Sequence, residues 1–180
     1  MKSVVLAASL VAASGGVASA GGYLGIGIGT APAAHSNDTM LGNDGRSGRL
    51  LLGQRFGNLG IEGSFTGYTL ADMRGNTYDT RQLGIAGKLN LPLQDRFEAY
   101  GRIGLHRTWV SGNQDGTDSA SGDGYLIGGG IEYRINLGIG GGSLWMDYSY
   151  NQASLVSDSV AATRSELSSR MWMLGVSIGI

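Results

Sequence analysis

Residues 82–105 read Q-L-G-I-A-G-K-L-N-L-P-L-Q-D-R-F-E-A-Y-G-R-I-G-L, and the order of apolar and polar side chains within them decides the fold. Leu83, Ile85, Leu89 and Leu91 share one parity, and Gln82, Gly84, Ala86 and Lys88 share the other. Beyond a short turn expected at 92–95, Phe97, Ala99, Ile103 and Leu105 alternate with Glu98, Tyr100, Arg102 and Gly104. A period of two belongs to β-strands with one apolar and one polar face. Two architectures fit it. A soluble sandwich or barrel turns the apolar face inward, whereas a membrane barrel turns it to lipid and the charges to its lumen.

The same alternation recurs outward from this stretch. Eight segments are expected, at 23–30, 48–56, 59–68, 82–91, 97–109, 124–135, 143–151 and 168–180. One face collects Leu24, Ile26, Ile28, Leu50, Leu52, Ile61, Phe65, Ile127, Ile131, Leu144, Met146, Leu174, Val176 and Ile178. The other collects Arg49, Arg55, Glu62, Lys88, Glu98, Arg102, Glu132, Arg134 and Asp147. Gly57-Asn58 is a tight hairpin signal, and 138–142 turns the chain as well. The stretches 31–45, 70–77, 110–123 and 152–166 read as longer polar loops. Three short turns at one end and four long loops at the other match the asymmetry of outer-membrane barrels. With an even strand count, both termini lie on the short-turn side.

Residues 1–20 read as a cleaved secretory signal, with Lys2, an apolar run at 4–11 and a small-residue site ending at Ala20. That leaves 21–180 as one exported domain. Without Lys2 its balance is about −2, against −1 for the whole chain, which offers no pull toward nucleic acid. Cysteine is absent, so no disulfide holds the domain. Beyond the signal no apolar run reaches the roughly 18 residues of a membrane helix. The 33 glycines without a collagen-like period suit strands that bend around a crowded lumen.

A soluble barrel with a filled core explains the alternation equally well. It does not explain glycine on both faces of nearly every strand, nor aromatic residues near segment ends on the apolar face. Phe56, Phe97, Trp109, Tyr125, Tyr133, Tyr148, Tyr150 and Trp172 fit the girdles of a membrane barrel. The fold expected is therefore all-β, an eight-stranded antiparallel up-and-down transmembrane β-barrel.

The strings L-G-I-E-G-S-F, G-K-L-N-L-P-L, E-A-Y-G-R-I-G, G-G-G-I-E-Y, W-M-D-Y-S-Y and L-G-V-S-I resemble the transmembrane domain of the outer-membrane protein A family. The likeness spans nearly the whole mature chain in strand order. It implies a narrow lumen plugged by a salt-bridged network, carried over by position to Glu62, Lys88, Arg102, Glu132 and Asp147. The chain departs from the family where Trp145 replaces an arginine two residues before the seventh-strand acid. Arg55, or Arg134 nearer the turns, is the available substitute. It also stops after the eighth strand, without the cell-wall-binding domain of many relatives. Its last residue is Ile180, where such barrels usually carry an aromatic read by the assembly machinery. The resemblance further implies a bacterial outer-membrane location and contact with membrane lipid and lipopolysaccharide. It implies a monomer inserted by the barrel-assembly machinery, with a loop-side extracellular partner.

Some small outer-membrane barrels are lipid-modifying enzymes, so the two histidines matter. His35 falls in the first loop, and His106 on the inward face with Ser111 and Asp115 nearby in sequence. No G-x-S-x-G elbow and no zinc-type spacing accompany them, and His106 reads as a lumen-lining polar residue. Asp115, Asp118 and Asp123 lack the spacing of a calcium loop. Gly25, Gly27 and Gly29 lie in a strand and precede no helix, unlike a phosphate-binding run. No catalytic, metal or cofactor site is assigned. A structural or surface-interaction barrel with a mostly plugged polar lumen is the function expected. A narrow pore, a soluble ligand carrier and an outer-membrane enzyme remain the alternatives.

Overall fold

A computed structural model of the chain describes residues 20–30, 32–36, 39–41, 45–71, 77–112, 119–136, 141–157 and 164–180. The expected signal segment, apart from Ala20, lies outside the described residues, as do Asp115 and Asp118. The strands are β1 (Ala20–Thr30), β2 (Ala33–Ser36), β3 (Thr39–Leu41), β4 (Arg46–Phe56), β5 (Leu59–Ala71), β6 (Thr77–Gln94), β7 (Phe97–Gly112), β8 (Ser119–Asn136), β9 (Gly141–Ser157) and β10 (Arg164–Gly179). Eight of them are long, and each pairs antiparallel with the next. β1 pairs with both β4 and β10, which closes the sheet into a ring. Closure leaves the long strands no unpaired edge, as a lipid environment requires.

The first connection differs from the expected irregular loop. β2 continues the line of β1 along β10, from Ala33 opposite Arg170 to Ser36 opposite Leu167, and β3 folds back on β2. Pro32 lies at the break between β1 and β2, where a residue without an N–H interrupts the ladder.

Strand ends are also corrected. The turn expected at 92–95 lies at Asp95-Arg96, because Pro92 still pairs with Glu98 and Gln94 with Phe97. Leu93 is the extra residue of a bulge between them. Gly57 turns the β4–β5 hairpin at φ 62°, a left-handed geometry that glycine takes without steric penalty. At the other end the ladders run into segments that read as loop. Ser111 pairs with Ser119, Ala71 with Thr77, and Val156 with Arg164. There Ser111, Asp123 and Ser154 take outward positions, so the apolar alternation of the sequence fades. Backbone pairing does not need it.

Exposure settles which face is outside. Ile28, Ile103 and Leu105 are 74%, 65% and 67% exposed, while Glu62, Arg102 and Asp147 are 3%, 6% and 1% exposed. An apolar outer wall around a charged interior is unfavourable in water and favourable in lipid. The soluble arrangement is thereby ruled out.

Candidate functional site in the barrel lumen

Inward parity places charged groups from six strands in one central cluster, and three acids meet three bases there. Arg102 on β7 donates from Nη1 to Glu62 on β5 at 2.9 Å and from Nη2 to Asp147 on β9 at 2.6 Å. Lys88 on β6 lies 3.1 Å from Glu132 on β8 and 3.6 Å from Glu62. Arg49 on β4 completes the balance, donating to Asp147 Oδ1 at 2.8 Å and to Thr66 and Ser149. Opposite charges buried this deeply must be paired, since each alone carries a large desolvation penalty.

Glycine explains how side chains reach across strands. Tyr23, Gly53 and Glu62 occupy one row on β1, β4 and β5. Gly53 has no Cβ to block the Tyr23 ring, so the phenol crosses it and donates to Glu62 at 2.7 Å. Tyr100, Gly130 and Asp147 repeat the device on β7, β8 and β9, the phenol donating at 3.2 Å. Trp145 uses it twice: a Cβ on Gly175 or Gly27 would stand 2.1 or 2.3 Å from its ring. The indole therefore lies flat against β10 and β1. Lys88 Nζ also sits 4.2 Å from the centre of the Tyr100 ring, a cation–π contact.

Arg55, expected in the lumen charge network, pairs there with Glu98 and not with Asp147. It lies near the turn end of β4. It makes a bidentate pair with Glu98 at 2.7 and 3.0 Å. Arg134 contacts the same carboxylate. Arg49 joins Arg102 on Asp147, and its reach across the lumen depends on ring closure. No spacing along the chain reveals it. Its one sequence signal was its place on the charged face.

Above the central cluster, toward the loops, Tyr68, Leu70, Leu155, Leu167, Met171 and Met173 form an apolar cap. The cavity among Tyr23, Glu62, Arg102, Trp145 and Asp147 measures about 10 Å³, room for at most one water molecule. From turns to loops the lumen thus holds the Glu98 cluster, the central ion pairs and the cap.

The other sequence candidates separate. His106 faces inward, with Nε2 3.1 Å from the Tyr125 carbonyl and Nδ1 3.0 Å from Thr108 Oγ1. Ser111 is exposed on the outward parity and does not meet His106, while Asp115 lies outside the described residues. His35 lies exposed on β2. Among the described residues no cluster of histidine and carboxylates has metal-binding geometry. On the outer wall Phe97 stacks with Tyr133 at 4.8 Å toward the turns. Toward the loops Tyr148 lies 4.8 Å from Trp172 and Tyr125 lies 6.4 Å from Tyr150. Phe56 sits at the turn end of β4 and Trp109 at the loop end of β7.

A closed antiparallel ring, apolar outside and ion-paired within, defines a transmembrane β-barrel. The chain belongs to the outer membrane protein β-barrel domain family, whose model matches residues 3–178. Among solved structures it is similar to Neisserial surface protein A at 18% identity, covering 91% of this chain and 100% of that one, with a TM-score of 0.73. Ail, the attachment invasion locus protein of Yersinia pestis, solved with the heparin analogue sucrose octasulfate, gives 17% identity, 89% and 99% coverage and a TM-score of 0.55. OprG from Pseudomonas aeruginosa gives 12%, 89%, 96% and 0.53. No curated protein matches the chain. Family and fold place it with barrels of the bacterial outer membrane.

Proposed function

We propose that this chain is a closed, non-catalytic outer-membrane barrel whose work is structural or is done by its loop-side surface. The observation that carries the reading is the filled lumen: balanced ion pairs lie beneath an apolar cap, with a cavity of only about 10 Å³ between named groups. The Glu62, Lys88, Arg102, Glu132, Asp147 and Arg49 network acts as a plug, and Arg55 with Glu98 and Arg134 guards the turn-side mouth. The outer aromatics Phe56, Phe97, Trp109, Tyr125, Tyr133, Tyr148, Tyr150 and Trp172 act as interface girdles. Export uses the signal at 1–20, insertion uses the barrel-assembly machinery, and the barrel then stands as a monomer among lipid and lipopolysaccharide. An extracellular partner meets the loops.

Planar-bilayer recording tests the plug. The purified barrel is expected to add no stable conductance steps. Reproducible steps from the folded protein would favour the narrow-pore reading instead.

A further inference from the structure

We infer that Tyr23 fixes the register of β1 between β4 and β10, holding the strand against a slip of two residues toward the loops. Such a lock bears on how the ring closes, for a plugged or a conducting barrel alike. The inward places of β1 carry Gly21, Tyr23, Gly25, Gly27 and Gly29, and its outward places carry Leu24, Ile26 and Ile28. A slip of one residue would exchange the two faces. A slip of two keeps them, bringing glycine to glycine and aliphatic to aliphatic along most of the strand. Backbone pairing is served equally by both registers, so side chains must choose between them.

Most inward neighbours cannot choose. Trp145 rests on Gly27, and after a slip toward the loops Gly25 would offer it the same bare surface. Ser47 Oγ and Met173 Cγ would stand 2.7 and 2.8 Å from a Cβ on Gly29, and Gly27 would arrive there equally bare. Ser47 also donates to the Thr30 carbonyl at 2.8 Å, a contact that any residue in that place supplies. Tyr23 differs. Its ring crosses β4 at Gly53, where a Cβ would stand 2.1 Å from Cζ, and its hydroxyl donates to Glu62 at 2.7 Å. Gly53 is the one glycine among the inward places of β4, between Leu51 and Arg55. After the slip Tyr23 would lie opposite Leu51, at the place of Gly25, where a Cβ comes within 3.3 Å of the Cβ atoms of Leu51 and Ser177. The phenol would be blocked there, and Glu62 would lose a donor.

The opposite slip is closed by other means. It would carry Ala31 to the place of Gly29, where a Cβ stands 2.3 Å from the Trp172 carbonyl oxygen. On the outer wall Thr30 adds one exposed hydrogen bond to the observed register, its Oγ1 accepting from the Trp172 amide at 3.3 Å. The buried bond to a carboxylate is the stronger of the two.

The test uses cysteine pairs, unambiguous in a chain without cysteine, oxidised in the full-length protein within outer-membrane preparations. Ile26→Cys with Val176→Cys reports the observed register, and Ile26→Cys with Leu174→Cys reports the slip toward the loops. Directly opposed residues lie about 4.5–5.5 Å apart and can bridge, whereas an offset of two residues, about 7–8 Å, cannot. With Tyr23 in place only the Val176 pair is expected to cross-link. Tyr23→Gly should raise the Leu174 cross-link about tenfold, the scale of a lost hydrogen bond to a charged group. Gly53→Ala with Leu51→Gly moves the slot two residues along β4 and should make the Leu174 pair the major one. Equal cross-linking of both pairs with Tyr23 and Gly53 intact overturns the inference. So does an unchanged ratio in Tyr23→Gly, or a slot variant that keeps the Val176 pair. Where one variant gives no heat-shifted folded band, the other decides. Failure of both to fold would make Tyr23 a requirement for closure itself and overturn a role in register.

Discussion

Arg102 is the residue on which the lumen most depends, because it holds two carboxylates on opposite walls. Arg102→Met leaves Glu62 and Asp147 short of charge inside a dry cluster, and loss of one partner of a buried pair costs about 3–5 kcal/mol. Urea unfolding in lipid vesicles should register that loss. A change below about 0.5 kcal/mol, the scale of neutral surface substitutions, would mean that water screens the cluster. Gly175 makes a second case. Gly175→Ala drives a methyl into the Trp145 ring, at a cost of about 1–3 kcal/mol for overpacking, and Trp145→Ala in the same chain should remove most of it. An undiminished cost in the double variant would place the strain elsewhere. At this scale the sequence was half legible. The parity of Glu62, Lys88, Arg102, Glu132 and Asp147 marks them as inward, but parity within a strand is silent about partners across the ring. Hence the pairing of Arg49 with Asp147 and of Arg55 with Glu98 is not legible along the chain.

The strands carry their message on the outer face. Ile103 is 65% exposed near mid-height of β7, so Ile103→Arg should destabilise the folded barrel by about 2–4 kcal/mol in vesicles, as a cation at the bilayer midplane does. The same change at an exposed site in water would be nearly neutral, so an unaltered unfolding midpoint would contradict the lipid-facing assignment. Element identity was legible wherever apolar residues alternate with polar ones, since a one-residue slip would exchange the faces. The ends were not. Pro92 reads as a turn yet sits in a bulged ladder, and Gly122 and Asp123 read as loop yet pair with Leu155 and Ser154. Hydrogen bonding between backbones extends past the lipid-facing band, where side chains no longer reveal it. The β2–β3 hairpin was hidden for the same reason.

For the whole molecule, closure is the organising fact. β1 must meet β10 before Arg49 can reach Asp147 or Trp145 can rest on Gly27. The ring, the inverted faces and the filled lumen form together, which predicts a compact species that resists detergent until heated. The most direct measurement is heat-modifiability of the outer-membrane fraction, boiled and unboiled samples run side by side on a denaturing gel. The account predicts a band in that fraction whose mobility shifts only on boiling. Recovery in the soluble periplasm, with one mobility at every temperature, would contradict it.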